Sequence, residues 1–273
     1  MGPVEHYLCS CGKEILECEF WLSMQQAVEE KGRGFDIANL GAHFTSDAKW
    51  IRRILGAQVR GPSFESLKRW LLQNFPILKS EYEKTLTHNQ FLVEQTLNLQ
   101  RGEIFLDGSK DPNRLTYLLN SSLFDISVIY MARDGRAQSN SRRQKKRWPV
   151  DYAGAAKEWA HTIGQMNSVV AQYPEQNIYK LAYEDLCHDP NKILNELWSF
   201  LNTEALEQDW DRVDLRARPH HILGNPMRTR DEIRIKLDER WRTEVSANEH
   251  KAFEKYAGSL NRALGYKNAS SDQ

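Results

Sequence analysis

Arg133 and Ser141 are the residues whose type and spacing first suggest chemistry. Arg133 follows five apolar residues, 128–132, that predict a buried strand, and Ser141 lies eight positions further on. The start of a helix carries unpaired N–H groups and a positive dipole end, and arginine offers a planar fork of donors to phosphate oxygens. The spacing therefore predicts a phosphate site, with a hydroxyl in the first turn of a helix. An alternative stays open, in which Arg133 pairs with Asp134 or Asp185 and Ser141 is a solvated helix residue.

Predicted strands and helices alternate through the middle of the chain. The strands are residues 103–107, 126–132 and 178–183, and the helices are 113–120, a segment from about 136, 152–173 and 190–201, the last with Asp189 as its N-cap. This order predicts an α/β fold with a parallel sheet flanked by helices, whose ligands bind at the carboxyl ends of the strands. The stretches 107–110, 133–141 and 183–185 each follow a strand, so we expect them to meet at one edge.

The first hundred residues have a different pattern, with apolar residues at steps of three and four that predict helices. We interpret residues 22–100 as a helical insert on the sheet. Together with the alternating region they form one predicted domain, residues 1–267. The polar end of the chain, residues 268–273, is expected to be disordered.

The composition limits the partners and the location. The chain has 273 residues with 37 basic and 37 acidic side chains, and zero net charge argues against a general nucleic-acid or membrane partner. No apolar run approaches the roughly 18 residues of a transmembrane helix, and no signal peptide is visible, so we expect a cytoplasmic protein. The basic run 142–147 is a local exception. Three interpretations of this run stay open. It lines an anion-binding cleft or recruits an acidic acceptor, it binds nucleic acid or a nuclear import receptor, or it is a solvated charged face.

Five segments in order resemble the sulfotransferases that use 3′-phosphoadenosine 5′-phosphosulfate (PAPS). VIYMARDGRAQSNS at 128–141 resembles their 3′-phosphate segment, and YKLAYEDLCHDPNKILNELWSFLN at 179–202 resembles a second hallmark. LDGSKDPNR at 106–114 is similar to a lysine-bearing strand end, and HHILGNPMR at 220–228 to a nucleotide loop. CSCGKEILECEFW at 9–21 resembles a segment of bacterial carbohydrate-type members, and RDGRA is also close to tyrosylprotein sulfotransferases. The resemblance implies a P-loop-like α/β fold and sulfuryl transfer from PAPS to a hydroxyl.

The resemblance also implies a set of nucleotide-binding residues. Arg133 and Ser141 would hold the 3′-phosphate of PAPS or of adenosine 3′,5′-bisphosphate. Tyr183 would pack against the adenine, with a role as a core tyrosine as the alternative. Asn225 and Arg228 would close a loop over the nucleotide.

Lys110 is the catalytic residue that the resemblance implies. It would reach the sulfuryl group or the bridging oxygen, where a fixed cation opposes the charge that the leaving oxygen gains in the transition state. The alternative is a solvated loop lysine paired with Asp111. The candidate bases are histidines, with most weight on the two that adjoin the nucleotide loop: His43, His88, His161, His220 and His221.

One part of the family pattern is missing from these residues. No segment like GxPRSGTT, whose backbone N–H groups bind the 5′-phosphosulfate, occurs in the sequence. We therefore expect a chain that starts too late, with weak or no transfer activity. The alternative is a non-catalytic adenosine-bisphosphate-binding protein of the same fold, and a third class is a nucleic-acid-binding helper that uses residues 142–147. The acceptor is a hydroxyl of a carbohydrate, lipid or peptide.

Three cysteines near the start could bind zinc. Cys9, Cys11 and Cys18 would need His6 as a fourth ligand, but the spacing C-x-C-x6-C matches no common zinc module. A disulfide or buried thiols are the preferred interpretation, and we expect no metal site.

Overall fold

The computed structural model describes residues 8–37, 39–145, 149–204, 212–214, 220 and 232–267. The chain divides into two compact units. The first is Met1–Asp125 with Arg212–Ile233, and the second is Ile126–Asp211 with Arg234–Gln273. That the two units form the single domain expected from the sequence stays a prediction.

The first unit is helical, as the apolar periodicity predicts. Its helices are α1 (Glu19–Glu29), α2 (Lys49–Leu55), α3 (Pro62–Asn74), α4 (Pro76–Gln100) and α5 (Pro112–Leu119), and a 3-10 turn, Ile15–Glu17, precedes α1. Proline opens three of these helices, at a position where its missing N–H costs nothing. Two apolar clusters hold the unit together, one around Cys9, Cys18 and α1, and the other between α2, α4 and α5.

The second unit contains the parallel sheet. Its elements are β1 (Val128–Ala132), α6 (Gly135–Arg143), α7 (Tyr152–Gln172), β2 (Ile178–Ala182), α8 (Tyr183–His188), α9 (Pro190–Phe200), α10 (Trp241–Glu244), α11 (Ala247–Phe253), a π-helical turn (Glu254–Gly258) and α12 (Ser259–Ala263). Two more short strands pair with each other and lie in the first unit, apart from Arg234: β3 (Arg212–Asp214) and β4 (Glu232–Arg234). The α/β class with a small parallel sheet flanked by helices is confirmed.

The register of the sheet decides what meets at its edge. β1 and β2 pair in parallel from Val128 opposite Ile178 to Ala132 opposite Ala182. The next residues, Arg133 and Tyr183, therefore leave the sheet side by side at the carboxyl ends of the two strands.

The predicted strand at residues 103–107 is wrong. These residues form no strand, and their apolar side chains face solvent, with Ile104 46%, Phe105 41% and Leu106 78% exposed. An apolar run becomes a buried strand only where a neighbouring strand can pair with it. No described strand pairs with residues 103–107.

Within the described ranges, no helix combines the length and the apolar character needed to cross a membrane.

Candidate functional site

Arg133 is held at the edge of the sheet by two contacts. Its guanidinium lies over the ring of Tyr183, with Cζ 4.6 Å from the ring centroid. Its Nη2 donates to the backbone carbonyl of Asp238 at 2.9 Å. Nε of Arg133 is buried and has no hydrogen-bond partner in the described part of the chain. The side chain is therefore fixed in place and still has an unused donor.

The charge of Arg133 is only weakly compensated. Its nearest carboxylate is that of Asp238, with Oδ2 3.7 Å from Nη2, and not that of Asp134 or Asp185. Asp238 accepts two hydrogen bonds from Arg240, at 2.8 and 2.9 Å, and these bonds lower the pKa of Asp238 to about 2. Since Arg240 already neutralises this carboxylate, Arg133 keeps most of its attraction for another anion.

Tyr183 is partly exposed and is not a core tyrosine. Its hydroxyl donates to the backbone carbonyl of Lys236 at 3.2 Å, and burial together with the contact to Cys187 raises its pKa to about 12. The ring is therefore neutral near pH 7, and Arg133 occupies one of its faces.

The residues after Arg133 are buried and bind one another. Asp134 caps α6 by accepting from the amide of Arg136 at 2.9 Å, and its carboxylate pairs with the Arg136 guanidinium, with Nη2 to Oδ2 at 2.6 Å. The guanidinium also lies 4.3 Å from the ring centroid of Trp241. A β-carbon on Gly135 would lie 2.8 Å from the rings of Phe253 and Trp159, so only glycine fits there. The motif DGR is thus structural in this chain.

The use of the helix start for an anion stays a prediction, although its first amides already have partners within the protein. The amide of Asp134 donates to Glu184 at 3.0 Å, the amide of Gly135 donates to Asn261 at 2.8 Å, and the amide of Arg136 donates to Asp134. Side chains therefore already satisfy these first amides.

Ser141 does not lie where the sequence pattern placed it. It is the seventh residue of α6 and not part of its first turn, and it is half-buried. Its hydroxyl has no hydrogen-bond partner among the described residues. Its part in phosphate binding stays a prediction.

Lys110 belongs to the first unit, in an exposed loop before α5. Its backbone has a φ of 59°, and Asp111 uses its carboxylate to cap the amide of Asn113 at 2.9 Å. Between the described side chains of Lys110 and Asp111 there is no ion pair. Of the three stretches expected at one edge, the structure brings together those of Arg133 and Tyr183, while the catalytic role of Lys110 stays a prediction.

The remaining predicted site residues have different outcomes. Asn225, Arg228 and His221 lie outside the described residues. Nε2 of His88 bonds to the carbonyl of Leu40 at 2.8 Å, which is a structural contact.

His220 lies among the cysteines of the first unit. Its Nδ1 is 3.5 Å from Sγ of Cys9 and 3.2 Å from Sγ of Cys18, and its ring stacks on Phe20. Cys11 Sγ lies 3.7 Å from Cys18 Sγ, and all described cysteines are free thiols. Sequence reasoning grouped the three cysteines but missed His220, because 202 residues separate it from Cys18.

A family model described as "Sulfotransferase family" matches residues 27–208, which are 182 of the 273 residues. The match spans β1, β2 and the two residues that follow these strands, Arg133 and Tyr183, which form the Arg133 corner. The chain belongs to the sulfotransferase family, whose members have a P-loop-like α/β fold and sulfotransfer activity. A search of curated proteins finds no match.

Proposed function

We propose that the chain binds PAPS and transfers its sulfuryl group to a hydroxyl of a carbohydrate, lipid or peptide acceptor. In this proposal Arg133 and Ser141 hold the 3′-phosphate and Tyr183 packs against the adenine. Family membership supports sulfotransfer in general. The unused donor of Arg133 supports a donor nucleotide that carries a second phosphate, at its 3′ position.

The buried Nε of Arg133 is the observation that carries this proposal. A buried donor without an acceptor is costly, and a phosphate oxygen at that position would remove the cost and add a charge-assisted hydrogen bond. The contacts to Tyr183 and to the Asp238 carbonyl fix the guanidinium beforehand, so little entropy is lost when the phosphate binds.

Ser141 is proposed as a second, weaker phosphate contact. A hydroxyl donates a neutral hydrogen bond, which is worth less than the charged bond from Arg133. Asn225 and Arg228 complete the proposed nucleotide site, and Lys110 is proposed to oppose the charge on the leaving oxygen.

Calorimetry with two nucleotides tests the phosphate assignment. Adenosine 3′,5′-bisphosphate should bind more tightly than AMP, since only the bisphosphate carries a 3′-phosphate. Arg133→Ala should weaken the bisphosphate by about 1.5–3 kcal/mol and Ser141→Ala by about 1 kcal/mol, and neither should change AMP binding much. Arg262→Ala, which removes an exposed arginine paired with Glu254, is the matched control and should change neither affinity.

Equal affinity for the two nucleotides would overturn the phosphate assignment. So would an Arg133→Ala variant that binds the bisphosphate as the parent chain does.

Transfer of radiolabelled sulfate from PAPS to a panel of sugars, peptides and phenols tests the catalytic part. Turnover that Lys110→Ala abolishes would support the proposed role of the lysine, and turnover unchanged by that substitution would contradict it. Nucleotide binding without transfer to any acceptor would favour the alternative of a non-catalytic adenosine-bisphosphate-binding protein.

A further inference from the structure

Four metal-binding side chains converge in the first unit. The ligand atoms of Cys9, Cys11, Cys18 and His220 all lie within 4.8 Å of one another. The first three come from one short segment, and the fourth comes from a distant part of the chain. Three sulfurs and one imidazole nitrogen form a donor set that zinc prefers in proteins.

Three of the six distances between the ligand atoms are close to those of a tetrahedral zinc site, and the other three are within 4.8 Å. Zinc bonds of about 2.3 Å to sulfur and about 2.0–2.1 Å to nitrogen place two sulfurs about 3.8 Å apart and a sulfur and a nitrogen about 3.6 Å apart. The distance between Sγ of Cys11 and Sγ of Cys18 is 3.7 Å, and Nδ1 of His220 lies 3.5 Å from Cys9 and 3.2 Å from Cys18. A disulfide would need two of the sulfurs at about 2.05 Å, and the described cysteines are all free.

The local backbone is shaped to hold sulfur ligands. Residues 9–12 form a tight turn in which the amide of Gly12 donates to the carbonyl of Cys9 at 2.9 Å, and Gly12 has a φ of 88° that favours glycine. The amide of Cys9 donates to the carbonyl of Lys13 at 2.9 Å and closes the same turn. The turn therefore holds Cys9 and Cys11 close to each other.

The surroundings favour a structural ion over a catalytic one. Cys9 and Cys18 are fully buried in an apolar cluster with Ile15, Phe20 and Trp21. All four tetrahedral positions are filled by protein atoms, which leaves no position for water or a substrate. We propose that Cys9, Cys11, Cys18 and His220 bind one structural zinc ion that ties the segment carrying His220 to the start of α1.

This zinc site would replace the sequence-based expectation of no metal, which considered His6 as the fourth ligand. The cluster lies outside residues 27–208, where the family model matches. The inference does not depend on the proposed nucleotide site, because metal content is measured without any nucleotide.

Metal analysis of the full chain, purified without chelators, is the direct test. Inductively coupled plasma mass spectrometry should find about one zinc per chain. After dialysis against a weak chelator, Cys18→Ser and His220→Ala should retain at least tenfold less zinc than the parent chain, since loss of one of the four ligands weakens binding strongly. Cys187→Ser and His161→Ala are the matched controls, from the second unit, and should keep the parent's zinc content.

Cobalt substitution keeps the proposal testable if a variant fails to fold. The parent chain, stripped of metal under reducing conditions and titrated with Co²⁺, should bind one equivalent and show the intense visible bands of tetrahedral cobalt together with a thiolate charge-transfer band. Parent protein with no zinc and no such spectrum would overturn the site. So would iron in place of zinc, a Cys11–Cys18 disulfide in peptide mapping, or unchanged zinc in Cys18→Ser.

Discussion

The Arg133 corner and the cysteine cluster are built in opposite ways. The corner begins with a contiguous motif, RDGRA at residues 133–137, in which Asp134 and Arg136 are partners only two residues apart. The cluster joins Cys18 to His220 across 202 residues. A contiguous motif can be recognised without a structure, whereas a side chain brought in from far along the chain cannot.

The comparison also shows that a recognisable motif need not be a ligand-binding motif throughout. Asp134, Gly135, Arg136 and Ala137 are buried and support the start of α6. Nε of Arg133 and Nη1 of Arg136 are both buried without a partner among the described residues, but Arg133 is the one that directly follows β1 at the edge of the sheet. We therefore infer that residues 134–137 position Arg133 and do not bind a ligand themselves. In the cysteine cluster, by contrast, each of the four side chains is a proposed ligand.

Removing Asp134 should produce the largest loss of stability at the corner. Asp134→Ala leaves the Arg136 guanidinium buried without its carboxylate, which costs about 3–5 kcal/mol of unfolding free energy. Urea denaturation measures the loss, and hydrogen exchange should locate it in residues 126–145 and not in residues 9–28. The variant should still bind zinc at the parent's level if the two regions are independent.

Glu254→Ala is the control for this substitution, because it breaks an exposed ion pair with Arg262 that is worth at most about 1 kcal/mol. If Asp134→Ala costs no more than this control, the interpretation of DGR as a structural motif is wrong.

Removing the aromatic ring of Tyr183 should lower nucleotide affinity. Tyr183→Ala should weaken adenosine 3′,5′-bisphosphate by about 1–3 kcal/mol, the usual value of one base–aromatic stack. Tyr183→Phe keeps the ring and loses only the hydroxyl bond to Lys236, so its affinity in calorimetry should stay near that of the parent. Equal losses in the two variants would mean that the hydroxyl, and not the ring, matters.

Adding one methyl group to Gly135 should destabilise the second unit by about 1–3 kcal/mol, because the methyl would overlap two aromatic rings at 2.8 Å. Gly164→Ala in α7 is the opposite case. A β-carbon there meets nothing within 4 Å, so this change should stabilise the helix by about 0.5–1 kcal/mol. Thermal unfolding compares the two, and a Gly135→Ala variant as stable as Gly164→Ala would show that the aromatic rings can move away.

The smallest loss of stability is expected from the hydrogen bonds of Glu184, which lies behind Asp134. Glu184 accepts from the amide of Asp134 at 3.0 Å and from the hydroxyl of Tyr266 at 2.7 Å. Tyr266→Phe removes the second bond and should cost about 1 kcal/mol in urea denaturation. Tyr256→Phe, at an exposed tyrosine, should cost nothing measurable, and a Tyr266→Phe variant equal to it would show that Glu184 needs only one partner.

Much of the local structure follows from the sequence because its causes are local. The run at 128–132 forms β1, the helix expected at 152–173 is α7, and Asp189 caps α9 ahead of Pro190. Strand propensity, capping and the start of a helix depend on residues a few positions apart. The same locality placed Arg133 and Tyr183 at strand ends, and the resemblance to the family implied their role in nucleotide binding.

The sequence by itself determined the α/β class, the helical first third and the placement of Arg133 and Tyr183 directly after the two strands. The tertiary structure decided which apolar runs are buried, and it left residues 103–107 exposed with no described strand beside them. It also decided that the amides at the start of α6 donate to Glu184 and Asn261, and that His220 contacts the cysteines. These contacts join residues that are tens to hundreds of positions apart, and no periodicity or motif spacing encodes which distant side chain fills a given place.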